Sequence, residues 1–186
     1  KLITAVATEP VSVVEAKLHL RVDDSADDAR IGTMITAARQ RAEQITGRLF
    51  GGQTWELVLD AFPSAFEITN APIASVTSIK YIDAAGVEQT LSAAAYVVDA
   101  DSVPARITLA EGYDWPETQS ITNAVRVRYV AGHGATEAEL AALKQWMLIA
   151  VGTWYRHAEA VDAGSLSALP RTYVDGLLDR YRTNFI

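Results

Sequence analysis

Cysteine is absent from this chain of 186 residues. Its absence rules out disulfide staples, thiol nucleophiles and cysteine-bound zinc, and it fits a reducing compartment. Positive charge is in deficit: 16 Lys and Arg stand against 23 Asp and Glu, for a net charge of −7. A protein that grips nucleic acid through its phosphates carries a basic surface, so tight DNA or RNA binding is not expected. Long apolar runs are also missing. The longest near-continuous one, Trp146 to Val151, is far short of the ~20 residues a membrane-spanning helix needs, and no membrane partner is expected.

Histidine is scarce: only His19, His133 and His157 occur. A helical H-E-x-x-H zinc site needs two imidazoles one turn apart. His133 and His157 lie 24 residues apart, at opposite ends of one expected helix. At the helical rise that is roughly 30 Å or more, too far to share a metal within one subunit. Gly132-His133-Gly134 reads as a strand-to-helix turn, and His157 beside Arg156 suits a helix C-terminus. The acidic cluster Asp23, Asp24, Asp27 and Asp28 lacks the glycine and the late glutamate of a calcium loop. It reads as acidic residues at a helix N-terminus, complementing the dipole. No G-x-S-x-G elbow and no Gly-rich phosphate loop occur. No catalytic residue, metal or cofactor is expected. An enzyme built on His133 and a nearby carboxylate is one rival reading, tested by histidine-to-alanine variants against generic substrates.

What the chain does have is apolar side chain, 49% of its residues, enough for a real core. Helical signals occupy both ends. Ser12 and Glu15 form a capping box that opens a helix over Val13 to Leu20. Ser25 and Asp28 make a weaker start of the same type. From there Ile31, Ile35, Ala38, Ala42 and Ile45 trace one face of an amphipathic helix that stops at Gly47. Thr136 and Glu139 make a third capping box before a helix over 137–157 that is apolar nearly all round. Such a helix needs cover on every side, and the flanking helices are few and short. Trp146, Trp154 and Tyr155 are therefore candidate subunit-interface residues. A loop of small residues, 158–169, is expected to be flexible. A last helix over 170–186 follows Pro170, with Tyr173, Leu177 and Tyr181 on one stripe.

The middle of the chain reads as strands. In Gln53 to Asp60, Trp55, Leu57 and Leu59 alternate onto one face. Two hairpins are expected, one in the stretch that begins SVTSIKYID at Ser75 and one over Ala95 to Leu109. In AVRVRYV, Val125, Val127 and Tyr129 share one face, while Arg126 and Arg128 point the other way and can pair with a neighbouring subunit. Residues 52–131 thus form an antiparallel β subdomain inserted into a helical core, an α+β fold in one domain over 1–186. A second rival is a β-rich, tail-associated binding module built on this subdomain. Exposed aromatics on one sheet face would support it, and burial of Trp55, Tyr81 and Tyr129 would oppose it.

The order of these segments resembles a known family. EPVSVVEAKLHLRVD, Asp27-Asp28, AARQRAEQITGR, QTWEL, VTSIKYIDAAG, Tyr96-Val97-Val98, Asp114-Trp115-Pro116, NAVRVRYVAGHG, LKQWMLIAVGTWYRHAEA and the closing Leu177-Leu178 with Tyr181-Arg182 follow the pattern of phage head–tail connector proteins. These are the adaptor or head-completion proteins of tailed phages and of gene transfer agents. One departure is the ATEAEL stretch, where the family usually has a proline before the long helix.

The resemblance implies a structural protein of the virion neck, assembled in the host cytoplasm, with no catalytic residues. It implies a homo-oligomeric, dodecameric ring beneath the portal protein, and a face for a stopper or tail-terminator protein. DNA would pass through the ring without specific binding, and an acidic lumen would keep phosphates from sticking. On this reading Asp83, Ala84, Ala85 and Gly86, at the tip of the first hairpin, form the stopper docking loop. Tyr173, Leu177, Leu178, Tyr181 and Phe185, with Arg180 and Arg182, would anchor the ring to the portal.

Overall fold

The computed structural model describes residues 1–132, 139–157 and 174–182. The chain divides into two compact units. One joins Lys1–Ala7 to Gly51–Gly134, and the other joins Thr8–Phe50 to Ala135–Ile186. Antiparallel strands build the first and helices the second, so the fold is α+β.

In the β unit, strands β1 (Leu2–Thr4), β2 (Gln53–Leu59), β4 (Ile73–Ile82), β5 (Glu88–Thr90) and β8 (Val125–Ala131) form a sheet in the order β1-β2-β8-β4-β5. A second sheet has the order β3-β7-β6, from Phe66–Ile68, Ala105–Leu109 and Tyr96–Asp99. Both expected hairpins form, β4 with β5 and β6 with β7. Strand β8 keeps its expected alternation: Val125, Val127, Tyr129 and Ala131 are buried, while Arg126 and Arg128 are exposed. Strands β1 and β3 have three residues each, too few to show a period of two in the sequence. Phe62 stacks on Trp115 at 4.9 Å between centroids, and Phe66 meets the same indole edge-on at 5.2 Å. Trp115 of the Asp-Trp-Pro stretch is therefore part of an aromatic cluster.

Strand β2 departs from expectation. Its buried residues are Gln53 and Glu56, while Trp55, Leu57 and Leu59 are half-buried. The reason is ionic. Lys1 Nζ lies 3.2 Å and Arg128 3.0 Å from the Glu56 carboxylate, and together they cover it.

In the helical unit, α1 (Val13–Leu20) opens with the expected capping box. Ser12 Oγ accepts from the Glu15 N–H at 3.1 Å, and the Glu15 carboxylate accepts from the Ser12 N–H at 2.8 Å. Helix α2 (Asp28–Thr46) buries Ile31, Ile35, Ala38 and Ala42, and half-buries Ile45. It ends at Gly47, whose φ of 70° suits a residue without Cβ. Ser25 does not cap it with its side chain. Only its carbonyl takes part, accepting from the Asp28 N–H at 3.3 Å.

Helix α3 (Ala141–Arg156) is not buried all round. Leu143, Trp146, Met147 and Val151 face the core, while Gln145, Thr153 and Arg156 are exposed. The small residues Ala142 and Ala150 made the helix read as more uniformly apolar than its packing is. The expected Thr136 cap, His133, the loop 158–169 and Tyr173 lie outside the described residues, as does Phe185. Of the expected last helix over 170–186, Val174 and Asp175 are α-helical and Gly176–Tyr181 form a short 3-10 helix.

A buried arginine organises this unit. Arg39 Nε donates to Glu9 and Nη1 to Glu43, each at 2.8 Å. Glu43 also accepts from the Phe50 N–H at 3.0 Å, and Glu9 from the Thr36 hydroxyl at 2.9 Å. Burial works against the charge on Arg39, but the two carboxylates outweigh it and raise its pKa. The two ends of the Thr8–Phe50 stretch are thereby tied to the middle of α2.

Candidate interface surfaces

The described residues hold no cluster of acidic or histidine side chains able to bind a metal, and no helix among them is long and apolar enough to cross a membrane. His19 and His157 are exposed. The acidic residues before α2 have local roles. Asp28 pairs with Lys17 at 2.7 Å, and Asp27 accepts from the Tyr155 hydroxyl at 2.5 Å.

The tip between β4 and β5 is preformed. The Asp83 carboxylate accepts from the N–H groups of Val87 at 2.9 Å and Ala85 at 3.0 Å, and from the Gln89 amide at 2.9 Å. These bonds, with Val87 the largest contributor and Gln89 next, hold its pKa below the ordinary aspartate range. Gly86 turns the chain at a φ of 81°. Ala84, Ala85, Gly86 and Val87 are left exposed. An isolated bridge between Asp83 and Thr118, with the Gln119 N–H donating to Ile82 O at 3.0 Å, ties the tip to the neighbouring segment.

The two arginines of β8 differ. Arg128 is paired within its own sheet through Glu56. Burial opposes ionisation of Glu56, but the hydrogen bonds and charges of Arg128 and Lys1 prevail and lower its pKa. Arg126 lies opposite Val58 on one side and Lys80 on the other, and it makes no ion pair among the described residues. Its charge helps to hold the pKa of Glu88 down, after the larger effect of Lys80.

The aromatic residues of α3 divide in the same way. Trp146 is buried in the core of its own subunit, and its indole N–H donates to Asp175 at 3.1 Å. That corrects its expected place at a subunit interface. Trp154 and Tyr155 are half-buried. Tyr155 is held by Asp27 and by Arg30, whose guanidinium lies 5.1 Å from the ring centroid.

The C-terminal segment also requires a correction. Leu178 and Tyr181, expected at the portal, are buried in the helical core. The Tyr181 ring meets Phe50 edge-on at 5.4 Å, and its hydroxyl donates to the Glu139 carbonyl. Leu177 is half-buried, while Arg180 and Arg182 remain exposed. Arg182 pairs with Asp179 at 3.0 Å, and Arg180 lies over the Tyr181 ring. A repeat of four residues marks an apolar stripe but does not say which surface it meets.

One exposed feature was not foreseen. On α1, Val14 and Leu18 point away from the core. The sequence VVEAKLHL carries apolar residues on more than one face, and that excess was the available signal. The β unit does not display a row of aromatics. Tyr129 is buried, with its hydroxyl accepting from Asn70 at 3.0 Å, and Trp55 and Tyr81 are half-buried. That arrangement weighs against the binding-module reading.

Comparison with known proteins points one way. A family model described as phage gp6-like head-tail connector protein matches residues 11–107. Among solved structures, the chain is similar to one from the neck of an empty GTA particle computed with C6 symmetry. The TM-score is 0.76 at 28% identity, over 100% of this chain and 96% of the other. It is similar to a chain from the virion of a native gene transfer agent particle, with a TM-score of 0.75 at 26% identity and the same coverage. A third is from the neck of a native GTA particle computed with C12 symmetry, with a TM-score of 0.71 at 25% identity, again over 100% and 96%. No curated protein matches the chain.

Proposed function

Because the chain belongs to the phage gp6-like head–tail connector family, we propose that it is a structural, non-enzymatic component of the neck of a phage or gene transfer agent particle. In this role it forms a dodecameric ring between the portal and the stopper or tail proteins, and DNA passes through the ring. The observation that carries the reading is the likeness, over the full chain, to proteins from necks solved with C6 and C12 symmetry. Charge supports it as well. The β unit has ten acidic against five basic residues and the helical unit thirteen against eleven, so neither unit offers DNA a net attraction.

Within the ring, the preformed tip at Asp83–Val87 docks the stopper. A loop whose backbone is already ordered loses little entropy on binding. The portal contact falls to Arg180, Arg182 and the partly open Leu177, since Leu178 and Tyr181 are occupied by the core.

Cryo-electron microscopy of assembled particles tests the proposal. A closed ring of this chain at the neck is expected, and a single copy per particle would overturn it. Deleting Ala84 to Gly86 tests the tip: heads should still fill with DNA but lose tail attachment. Unchanged attachment would move the docking site elsewhere.

A further inference from the structure

Helix α1 is apolar on two sides. Ala16 is buried and Val13 and Leu20 pack against the core of the helical unit. Val14 and Leu18 turn outward, 67% and 76% exposed. Residues four apart on a helix lie side by side, so the pair forms one apolar stripe. Among the described residues both side chains are mostly open to water, and a contact that covered the stripe would gain its apolar area. Just past the helix, Arg21 is exposed and makes no ion pair among the described residues.

The β unit carries a counterpart. In the hairpin of β6 and β7, Val97 and Val103 are 54% and 41% exposed. Between them Asp101 is exposed and makes no ion pair among the described residues. The neighbouring Asp99 is already committed. Its carboxylate accepts from the Ser102 hydroxyl at 2.6 Å and from the Asp101 and Ser102 N–H groups. One segment therefore carries two exposed apolar side chains and a free cation, and the other two exposed apolar side chains and a free anion.

A ring with rotational symmetry joins its members head to tail, through two different surfaces carried by every copy. We propose that α1 of one copy docks on the β6–β7 hairpin of the next, with Val14 and Leu18 against Val97 and Val103, and Arg21 beside Asp101. The inference rests on the ring reading above. The β unit also exposes Val87, in the tip already assigned to the stopper, and Leu2, Ile3, Tyr113 and Ile121 outside the hairpin. Complementary charge, Arg21 against Asp101, is what matches the α1 stripe to the β6–β7 hairpin.

The absence of cysteine makes the test direct, because any thiol cross-link must come from introduced residues. Particles are assembled from the L18C/V97C chain and oxidised, or bridged with a short bismaleimide, then run on a non-reducing gel. A ladder of covalent multimers is expected from the double variant, and monomer from L18C or V97C alone. Three results would overturn the docking while leaving the ring intact: no ladder from particles whose necks show the ring, a dimer from L18C alone, or L18C linked to a different protein. Necks without any ring would overturn the ring reading itself. Charge exchange gives a second readout. R21D should cut neck incorporation several-fold, and D101R in the same chain should restore it. Failure of that rescue counts against the pairing.

Discussion

A Cβ on Gly132 would sit 2.0 Å from the carbonyl oxygen of Gly51. The neighbour is backbone, so no side chain can swing aside. Gly132 also has a φ of 116°, where L residues are strained, and its N–H donates to Pro72 O at 2.8 Å. We predict that Gly132→Ala destabilises the β unit by about 2–4 kcal/mol, since steric overlap adds to backbone strain. Gly112 is the control, with a φ of 81° and open space around the added atom. Gly112→Ala should cost only about 1 kcal/mol. Urea unfolding of the two variants checks the difference.

Glu56 should make stability depend on acid. Its pKa in the folded protein is depressed by Arg128 and Lys1, which together outweigh the opposing effect of burial. A depressed carboxylate contributes stability that is complete above its unfolded pKa, about 4.3. That contribution is lost as pH falls through the lower folded value. Glu56→Gln should therefore lose about 1–2 kcal/mol at neutral pH. Its unfolding free energy should also fall less steeply below about pH 4.3 than that of the parent chain. Parallel curves for the two proteins would contradict this.

Arg39 should be among the costliest single positions of the helical unit. Replacing it by Met removes the cation that bridges Glu9 and Glu43, at a cost of about 3–5 kcal/mol. Arg39→Lys keeps the charge but not the fork that reaches two carboxylates, so an intermediate loss is expected. Thermal unfolding followed by circular dichroism ranks the three proteins.

Leu178 and Tyr181 distinguish a core role from a docking role. Leu178 is fully buried, so Leu178→Ala should cost about 2–5 kcal/mol in the isolated chain. Tyr181→Phe removes only the hydroxyl that donates to Glu139 O, and should cost about 1 kcal/mol. A truncation after Leu169 should accordingly lower thermal stability. If it left stability unchanged and abolished only attachment to heads, these side chains would belong to the portal contact after all.

Features closed by residues near one another in the chain were legible in the sequence. The Ser12–Glu15 capping box spans three residues, and the stop at Gly47 needs only its own φ and the Glu43 carbonyl. The alternation of β8 and both hairpins rest on a period of two and on short turns. Their ordered succession along the chain was enough for the connector family to be recognised. Features closed by distant residues were decided only by the tertiary structure. Glu56 looked like a solvent-facing strand residue until Arg128, 72 positions away, and Lys1 covered it. Leu178 and Tyr181 were assigned to the portal until the helical core buried both, with Phe50 and the Glu139 carbonyl meeting Tyr181. Val14 and Leu18 were two more apolar letters in a helix until packing selected the opposite face. A periodic pattern shows that a face is apolar, because period follows from backbone geometry. Which surface that face meets depends on the closure of long loops, and no local pattern encodes it.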